Sequence, residues 1–203
     1  MFSKSHKGIK VLIVFFFALA LAALPALADS GKKDAGMSAT EKTKKRTEIQ
    51  KMVDQTLEKL YAAQPKAKKA ISQSQGYAVF SNFGMKILVA GGGTGKGLAV
   101  NKETGQKTYM KMLEVQAGIG LGIKKFQVIW VFNDESDFKA FINQGWEFGG
   151  QATAAAKLND DGNAMQGALS VKQGVWVYQL TGDGLALELT LKGTKYYKDK
   201  NLN

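Results

Sequence analysis

Glycine is concentrated in the second part of this 203-residue chain, where it alternates with branched apolar residues. Twenty glycines fall between Gly76 and Gly193, and Gly118, Gly120 and Gly122 are separated by single isoleucine and leucine residues. Because side chains alternate between the two faces of a strand, one face of such a strand carries no side chains. A bare face lets another element approach closely, or lets a sheet bend sharply, as barrel closure requires. The chain is therefore predicted to form a strongly curved sheet.

Runs rich in β-branched and aromatic residues support this prediction, and residues typical of turns separate them. The turns are predicted at Glu103–Gly105, Asn159–Asn163 and Thr181–Gly184. One helix interrupts the sheet, because Asp134–Asp137 supplies an acidic first turn and Gly145 a stop. The predicted strands are Tyr77–Asn82, Met85–Ala90, Lys96–Lys102, Gln106–Val115, Ala117–Phe132, Trp146–Leu158, Ala168–Leu180 and Leu185–Tyr197.

The stretch AGGGTGKGL, residues 90–98, is similar at first sight to a phosphate-binding glycine loop. Such a loop needs a glycine, four residues, Gly-Lys, and then a hydroxyl residue that ligates magnesium. In this frame Ala90 occupies the position of the first glycine, and Gly97 occupies that of the hydroxyl. The loop must also lead into a helix, whereas a short strand is predicted next. We interpret Gly91–Gly97 as a sheet corner and turn, and expect no nucleotide binding.

Two helices are predicted before the sheet. Ser38–Glu41 has the sequence of a capping box, and an apolar stripe continues from it to about Ala63. Pro65 suits the first position of a second, short helix with its own apolar side. The predicted fold class is therefore α+β, with N-terminal amphipathic helices followed by a glycine-rich, mostly antiparallel sheet or small barrel that carries one inserted helix. The first stripe comprises Ile49, Met52, Val53, Leu57, Leu60 and Tyr61.

The first 28 residues have the features of a secretory signal peptide. Three lysines precede the apolar run Val11–Leu24, and Ala26-Leu-Ala28 fits the cleavage site. The run is shorter than the roughly 20 residues that a membrane-spanning helix needs. Cysteine is absent, which excludes a lipoprotein anchor. We expect a signal peptide over 1–28, a flexible leader over 29–39, a domain over 40–203, and a periplasmic or secreted product.

The charge is strongly basic, at +11 for the whole chain. Three of these charges are signal-peptide lysines, so the remaining chain carries +8. The excess is concentrated in residues 29–69, which carry 11 basic and 6 acidic side chains. Such a bias favours an anionic partner. Export argues against a nucleic acid and favours a membrane surface or another polyanion.

Catalytic and metal-binding residues are scarce. The only histidine is His6, inside the signal peptide, and there is no cysteine, so the commonest general base, zinc ligands and thiol nucleophile are missing. The acids of Asn159–Asn163 lack the spacing of a calcium loop. We expect no enzyme activity, no cofactor and no metal. Aromatic residues of the strands are expected to lie mostly in the core, namely Trp130, Trp146, Trp176, Tyr109 and Tyr178.

The order of motifs resembles the SYLF domain family, a lipid-binding module whose fungal members are also known as actin-binding proteins. The resemblance spans about residues 40–200, although Gln75 stands where the family has a basic residue, and Gly182-Asp-Gly-Leu-Ala where it has Lys-Gly-Leu-Phe-Ala. The matching stretches are Ser74-Gln-Gly-Tyr-Ala-Val-Phe-Ser81, Ala90-Gly-Gly-Gly-Thr-Gly-Lys-Gly97, Gln116-Ala-Gly-Ile-Gly120, Val128-Ile-Trp-Val-Phe-Asn133 and Gly182-Asp-Gly-Leu185.

The resemblance implies binding of phosphoinositides or other anionic lipids, without catalysis, through the N-terminal amphipathic helix and nearby basic residues. Actin does not suit an exported chain. The first helix either lies on a membrane or, as we favour, packs on the core. The lysines after Pro65 either contact lipid or form a solvated face. The alternative function is a structural or envelope-stress protein that acts through an unknown protein partner. The candidate lipid-binding residues are Lys44, Lys45, Arg46, Lys51, Lys66, Lys68 and Lys69.

Overall fold

The computed structural model describes residues 37–87, 90–117, 122–147, 157–158, 167–182, 184–186 and 193–203. Residues 36–203 form one compact unit. The helices within these ranges are α1 (Ala39–Ala63), α2 (Lys66–Gln73) and α3 (Glu135–Gln144). The strands within the same ranges are β1 (Gly76–Ile87), β2 (Ala90–Asn101), β3 (Lys107–Ala117), β4 (Gly122–Phe132), β5 (Trp146–Glu147), β6 (Lys157–Leu158), β7 (Leu169–Lys172), β8 (Val175–Thr181), β9 (Gly184–Ala186) and β10 (Thr194–Lys198).

The strands form one antiparallel sheet, curled into a half-barrel. The described order is β5-β10-β3-β2-β1-β4-β8-β7-β6, with β9 paired to β8. At the centre, β1 and β2 pair along their full length, from Gly76 opposite Asn101 to Ile87 opposite Ala90. The α+β class, the strong curvature and the inserted helix are confirmed.

The predicted sheet corner at Gly91–Gly97 is wrong, because these glycines lie inside the continuous strand β2. Their role is the close approach that a bare strand face permits. A Cβ atom on Gly95 would lie 2.6 Å from the Ser81 carbonyl oxygen, and one on Gly97 would collide with the Phe80 ring. The alternating glycines at 118 and 120 lie outside the described residues.

Several strand boundaries also differ from the prediction. The two segments predicted on either side of Phe83 are one strand, β1. The predicted strand Ala168–Leu180 is a hairpin, β7 and β8, because Gly174 adopts φ +81° between them. The predicted strand Ala117–Phe132 is divided between the end of β3 and β4. The predicted turn at Asn159–Asn163, the signal segment and nearly all of the leader lie outside the described residues.

All three predicted helices form, and their caps explain their starts. The Ser38 hydroxyl accepts a hydrogen bond from the Glu41 backbone N–H at 3.2 Å, and the Glu41 carboxylate accepts one from the Ser38 N–H at 3.0 Å. These bonds hold the pKa of Glu41 below its usual value. Asp134 caps α3 by accepting from the Ser136 N–H at 2.7 Å. Gly145, with φ +78°, follows the last turn of α3.

One face of the sheet, here called the α3 face, carries an aromatic core. Phe80, Trp130, Phe132 and Tyr196 project from three strands onto this face, all fully buried, and Phe141 of α3 packs among them. Ring centroids of Trp130 and Phe141 lie 5.1 Å apart, and those of Phe80 and Tyr196 lie 4.7 Å apart. Such rings bury large areas and add about 0.5–1.5 kcal/mol per well-oriented pair.

The opposite face, here called the α1 face, carries α1 and α2. Val79, Leu98 and Ile129 are fully buried beneath these helices. Neighbouring residues of the same strands point to opposite faces, as strand geometry requires, so Val79 lies under α1 whereas Phe80 lies in the aromatic core. The fold is therefore three-layered, with the sheet between α1 and α2 on one side and α3 on the other.

Candidate functional site

The predicted apolar stripe of α1 is buried rather than exposed. Ile49, Val53 and Leu60 are at most 3% exposed and pack against the sheet. This confirms the prediction of a core-packing helix over one that lies on a membrane. The outer side of α1 carries both charge signs, since Glu48 and Asp54 share it with Lys51.

The candidate residues on α1 differ in their surroundings. Lys44 and Lys51 are exposed, whereas Lys45 and Arg46 are half-buried. The Arg46 Nε donates a hydrogen bond to the Leu202 carbonyl at 2.8 Å, and its guanidinium lies 5.5 Å from the centre of the Tyr109 ring. Arg46 is thus committed to an internal contact.

Residues 199–203 form a clasp around β3, which sequence reasoning missed. The Asn203 side chain accepts a hydrogen bond from the Tyr109 N–H at 2.9 Å and donates one to the Tyr109 carbonyl at 2.8 Å. Asp199 forms an ion pair with Lys111 at 3.2 Å. Together with Arg46, these contacts tie α1 to the sheet. No local sequence pattern in residues 199–203 predicts these contacts with β3.

The three candidate lysines of α2 lie where the sequence predicts. Lys66, Lys68 and Lys69 are exposed. The opposite side of the helix is buried, with Ala67 and Ile71 at most 3% exposed. No acidic residue occurs in the sequence between Glu58 and Glu103. The helix therefore presents a fixed positive surface without any rearrangement of the fold.

Part of the α1 face is covered by none of the helices in the described ranges, and this surface was not anticipated. We call it the bare half; its exposed side chains in those ranges are Phe83, Thr94, Lys96, Leu113, Val115, Lys125, Lys195 and Tyr197. Phe83 stands between two clefts, of about 200 and 390 Å³. The sequence contains one signal for this surface, the alternation of side chains between the two faces of β1. It places Phe83 on the α1 face only if Phe83 is assigned to the strand.

A third cleft, of about 640 Å³, lies between α1 and β3. Its lining is largely polar and includes Arg46, Gln50, Asp54, Lys107 and Tyr109. The Gln50 side-chain amide donates a hydrogen bond to the Asp54 carboxylate at 2.8 Å, so these two lining residues already bond to each other. Each described residue that lines this cleft carries a polar or charged group, and none is an aliphatic hydrocarbon side chain.

The strand aromatic residues expected in the core are buried there or pack against it. Trp130 and Tyr178 are fully buried, and burial raises the pKa of the Tyr178 hydroxyl to about 12. Trp146, Trp176 and Tyr109 are half-buried and pack against the two cores. The described part of the half-barrel interior is thus filled by its own side chains.

A buried carboxylate also lies on the α3 face. Glu114 is fully buried and accepts a hydrogen bond from the Asn82 side-chain amide. Gly93 makes room for the pair, since a Cβ atom there would lie 2.8 Å from the Asn82 Oδ1. Within the described ranges, no three acidic, histidine or cysteine side chains group as a metal site. None of the described helices has the length and apolar character needed to cross a bilayer.

The phosphate-loop geometry is not formed. Lys96 lies in the middle of β2, opposite Ser81 of β1 and Lys111 of β3, and the next element after β2 is the strand β3 rather than a helix. A phosphate loop requires a turn that leads into a helix N-terminus. The chemistry available at the described surface is that of fixed lysines and exposed apolar side chains.

The described residues form an α+β domain in which helices pack on both faces of a half-barrel sheet and lysines lie exposed on its surface. Residues 113–203 match the family model described as "Ysc84: Las17-binding protein actin regulator". The chain is also 34% identical over 157 residues to beta cell expansion factor A of Aeromonas veronii, a match that covers 77% of this chain and 58% of that protein. The chain belongs to the SYLF domain family, which is associated with lipid binding and actin regulation. No catalytic family is indicated.

Proposed function

We propose that the protein is an exported, non-enzymatic module that binds anionic phospholipid surfaces through the basic residues of its N-terminal helical region. The observation that carries this proposal is the exposed lysine cluster of α2, Lys66, Lys68 and Lys69, opposite a buried apolar side. Family membership supports lipid as the ligand. The actin regulation in the family description suits an exported chain less well.

Electrostatics favour α2 over α1 as the main basic contact. Each basic residue near an anionic membrane contributes about 1 kcal/mol. On α1, the exposed Lys44 and Lys51 share the surface with Glu48, Asp54 and Glu58, which reduces the local potential. The α2 segment carries no acid. Lys45 and Arg46 are the least accessible of the candidates, since both are half-buried.

The export proposal rests on residues 1–28 alone. The charged start, the apolar run and Ala26-Leu-Ala28 support cleavage that leaves Asp29 as the first residue. Intact-mass measurement of the exported protein tests this directly. A mass that includes residues 1–28 contradicts cleavage and replaces the exported module with a membrane-anchored one.

The lipid proposal is tested by replacing Lys66, Lys68 and Lys69 with Gln and measuring co-sedimentation with vesicles. Loss of three lysines at about 1 kcal/mol each corresponds to roughly 100-fold weaker binding to anionic vesicles. Salt should imitate the substitution, because the Debye length falls from about 10 Å at 0.1 M to about 3 Å at 1 M. Vesicles of neutral lipid measure any contribution that does not depend on charge.

The matched control removes the same charge from the other side of the sheet. Lys139, Lys172 and Lys198 lie on or beside α3 and are exposed. Replacing these three with Gln is expected to weaken binding far less than the α2 substitution does. The proposed contact at α2 is wrong if the α2 variant is folded by circular dichroism and binds anionic vesicles like the native protein at low salt. It is equally wrong if both triple variants lose affinity alike.

A further inference from the structure

The most exposed large hydrophobic side chains all project from the α1 face. Among the described residues these are Phe83 (48% exposed), Leu113 (42%), Val115 (63%) and Tyr197 (38%). Single exposed apolar residues are normal on any protein surface, but a contiguous group marks an interaction site. No comparable group occurs on the described part of the α3 face.

Strand register makes three of these side chains neighbours. Phe83 lies opposite Thr94, and Thr94 lies opposite Leu113, so a row crosses β1, β2 and β3. Val115 lies two residues further along β3, on the same face. Adjacent strands are about 4.8 Å apart, so the row from Phe83 to Leu113 spans about 10 Å. Phe83 and Leu113 therefore flank Thr94 in one row, and Val115 adjoins Leu113 along β3.

Helix α1 borders this group. Ile49 and Met52 of α1 line the 200 Å³ cleft on one side of Phe83, and Lys59 of α1 lines the 390 Å³ cleft on the other. Helix α2 packs elsewhere on the α1 face, through Ala67 and the buried residues around it. Both helices and the bare half therefore lie on the same side of the sheet.

Lysines surround the apolar group. Lys96 and Lys125 are exposed, and the Lys125 Nζ lies 5.7 Å from the centre of the Phe83 ring. Neither lysine is within ion-pair distance of a carboxylate in the described part of the chain. Lys96 lies opposite Lys111 in the register, but Lys111 is paired with Asp199, and Glu48 of α1 lines the same cleft as Lys96. The positive charge that the bare half offers to an anionic surface therefore comes from Lys96 and Lys125, which lie beside its apolar side chains.

We propose that the bare half is the surface that enters the anionic bilayer, with Phe83, Leu113 and Val115 at headgroup depth and Lys96 and Lys125 against the phosphates. The inference rests on the proposed lipid function and adds an apolar contact at a defined place. A second copy of this chain fits the surface less well. A two-fold interface brings the same patch together from both copies and so opposes lysine to lysine.

The test compares two triple variants in vesicle co-sedimentation. Phe83→Ser with Leu113→Ser and Val115→Ser removes the apolar group, whereas Phe83→Leu with Leu113→Ile and Val115→Ile keeps it apolar. Because burial of apolar area is insensitive to screening, the Ser variant should bind anionic vesicles on the order of 30-fold more weakly at both 0.1 M and 0.5 M salt. The Leu/Ile/Ile variant should bind like the native protein.

A double substitution of two lysines tests the electrostatic part of the proposed contact. Lys96→Gln with Lys125→Gln should weaken binding by roughly 30-fold at low salt, at about 1 kcal/mol per lysine, and much less at 0.5 M salt. Lys139→Gln with Lys198→Gln is the control on the α3 side, and should have a much smaller effect.

Any of four outcomes overturns the inference. Ser and Leu/Ile/Ile variants that bind equally well exclude an apolar contact at this face. Loss of binding in the α2 lysine variant but not in either bare-half variant leaves the proposed function intact and removes this inference alone. A native dimer in sedimentation velocity that the Ser variant dissociates assigns the surface to self-association instead. Native protein that ignores anionic vesicles altogether contradicts the proposed function as well.

Discussion

The two faces of the sheet are built from alternate residues of the same strands, yet they differ in how much of their surface the described helices cover. The described α3 face is filled with aromatic rings and closed by α3. Among the described elements, α1 and α2 cover part of the α1 face, and its bare half keeps apolar and basic side chains exposed. Phe80 is fully buried, and Phe83, three residues along β1, is 48% exposed. The comparison separates residues that stabilise the fold from residues that are available to a ligand.

The largest expected effect contrasts the two phenylalanines of β1. Phe80→Ala leaves a cavity in the aromatic core and should lower the free energy of unfolding by about 3–5 kcal/mol. Phe83→Ala removes a side chain that is half exposed, and should change the free energy of unfolding by no more than about 1 kcal/mol. Urea unfolding followed by circular dichroism measures both. Equal losses would show that the bare half is structural.

A smaller effect is expected from two glycines of β2 on opposite faces. Gly97→Ala places a Cβ atom against the Phe80 ring and 2.5 Å from the Val79 carbonyl oxygen. We expect a loss of about 1–3 kcal/mol from the overpacking. The control is Gly92→Ala, whose Cβ would face the bare half with its nearest neighbour at 3.4 Å. It should be neutral, or stabilising by up to about 1 kcal/mol. If Gly92→Ala costs as much, then the close approach at Gly97 does not explain the glycines.

The loss of stability at alkaline pH allows a comparison of two buried tyrosines, one on each face of the sheet. Burial raises the pKa of Tyr178, on the α1 face, to about 12, and raises that of Tyr196, on the α3 face, further. Both groups are neutral in the folded state below the ordinary pKa of about 10. Their contribution to stability is therefore present below pH 10, and is lost as pH rises from about 10 toward 12.

The measurement is the melting temperature between pH 9 and 12 for native protein and two variants. Tyr178→Phe and Tyr196→Phe should each flatten the alkaline decline, and Tyr196→Phe should do so more. An unchanged decline in both variants would mean that other groups cause the alkaline loss.

The smallest effect concerns the start of α1, which closes part of the α1 face. Ser38→Ala removes the hydroxyl that accepts from the Glu41 N–H, and should cost about 1 kcal/mol of unfolding free energy. Thr43→Ala is the control, because Thr43 is exposed and its hydroxyl only bonds back to the Ala39 carbonyl. That substitution should stay within about 0.5 kcal/mol. Chemical denaturation resolves the difference, and equal values would count against the capping box.

Local chemistry explains what the sequence predicted well. The Ser38 cap, the acidic start of α3 and strand alternation depend on neighbours along the chain, so the helices and most strands could be placed from sequence. The Gly91–Gly97 corner was wrong because a glycine run has two uses, turning and close packing. Only the partner strands, which place Phe80 and Ser81 against these glycines, distinguish the two.

The candidate site was less accessible to sequence reasoning. Lys66, Lys68 and Lys69 were placed correctly as exposed residues, since helical spacing set them opposite Ala67 and Ile71. Whether these lysines contact lipid stays a prediction. Arg46 is indistinguishable in sequence from its lysine neighbours, and its partner Leu202 is 156 positions away. The bare half depends on where α1 crosses the sheet, which no local pattern specifies.

That separation of 156 positions has a consequence for the order of folding. Helix α1 is synthesised before the described strands, but the clasp that holds it, residues 199–203, is synthesised after them. Contacts that join distant parts of a chain form slowly, because loop-closure entropy must be overcome before they add stability. Before β1, β2 and β4 are synthesised, Ile49, Val53 and Leu60 lack Val79, Leu98 and Ile129, the sheet residues of their core cluster. A nascent chain therefore exposes the apolar stripe of α1 until those strands emerge, and the clasp can hold the helix only after that.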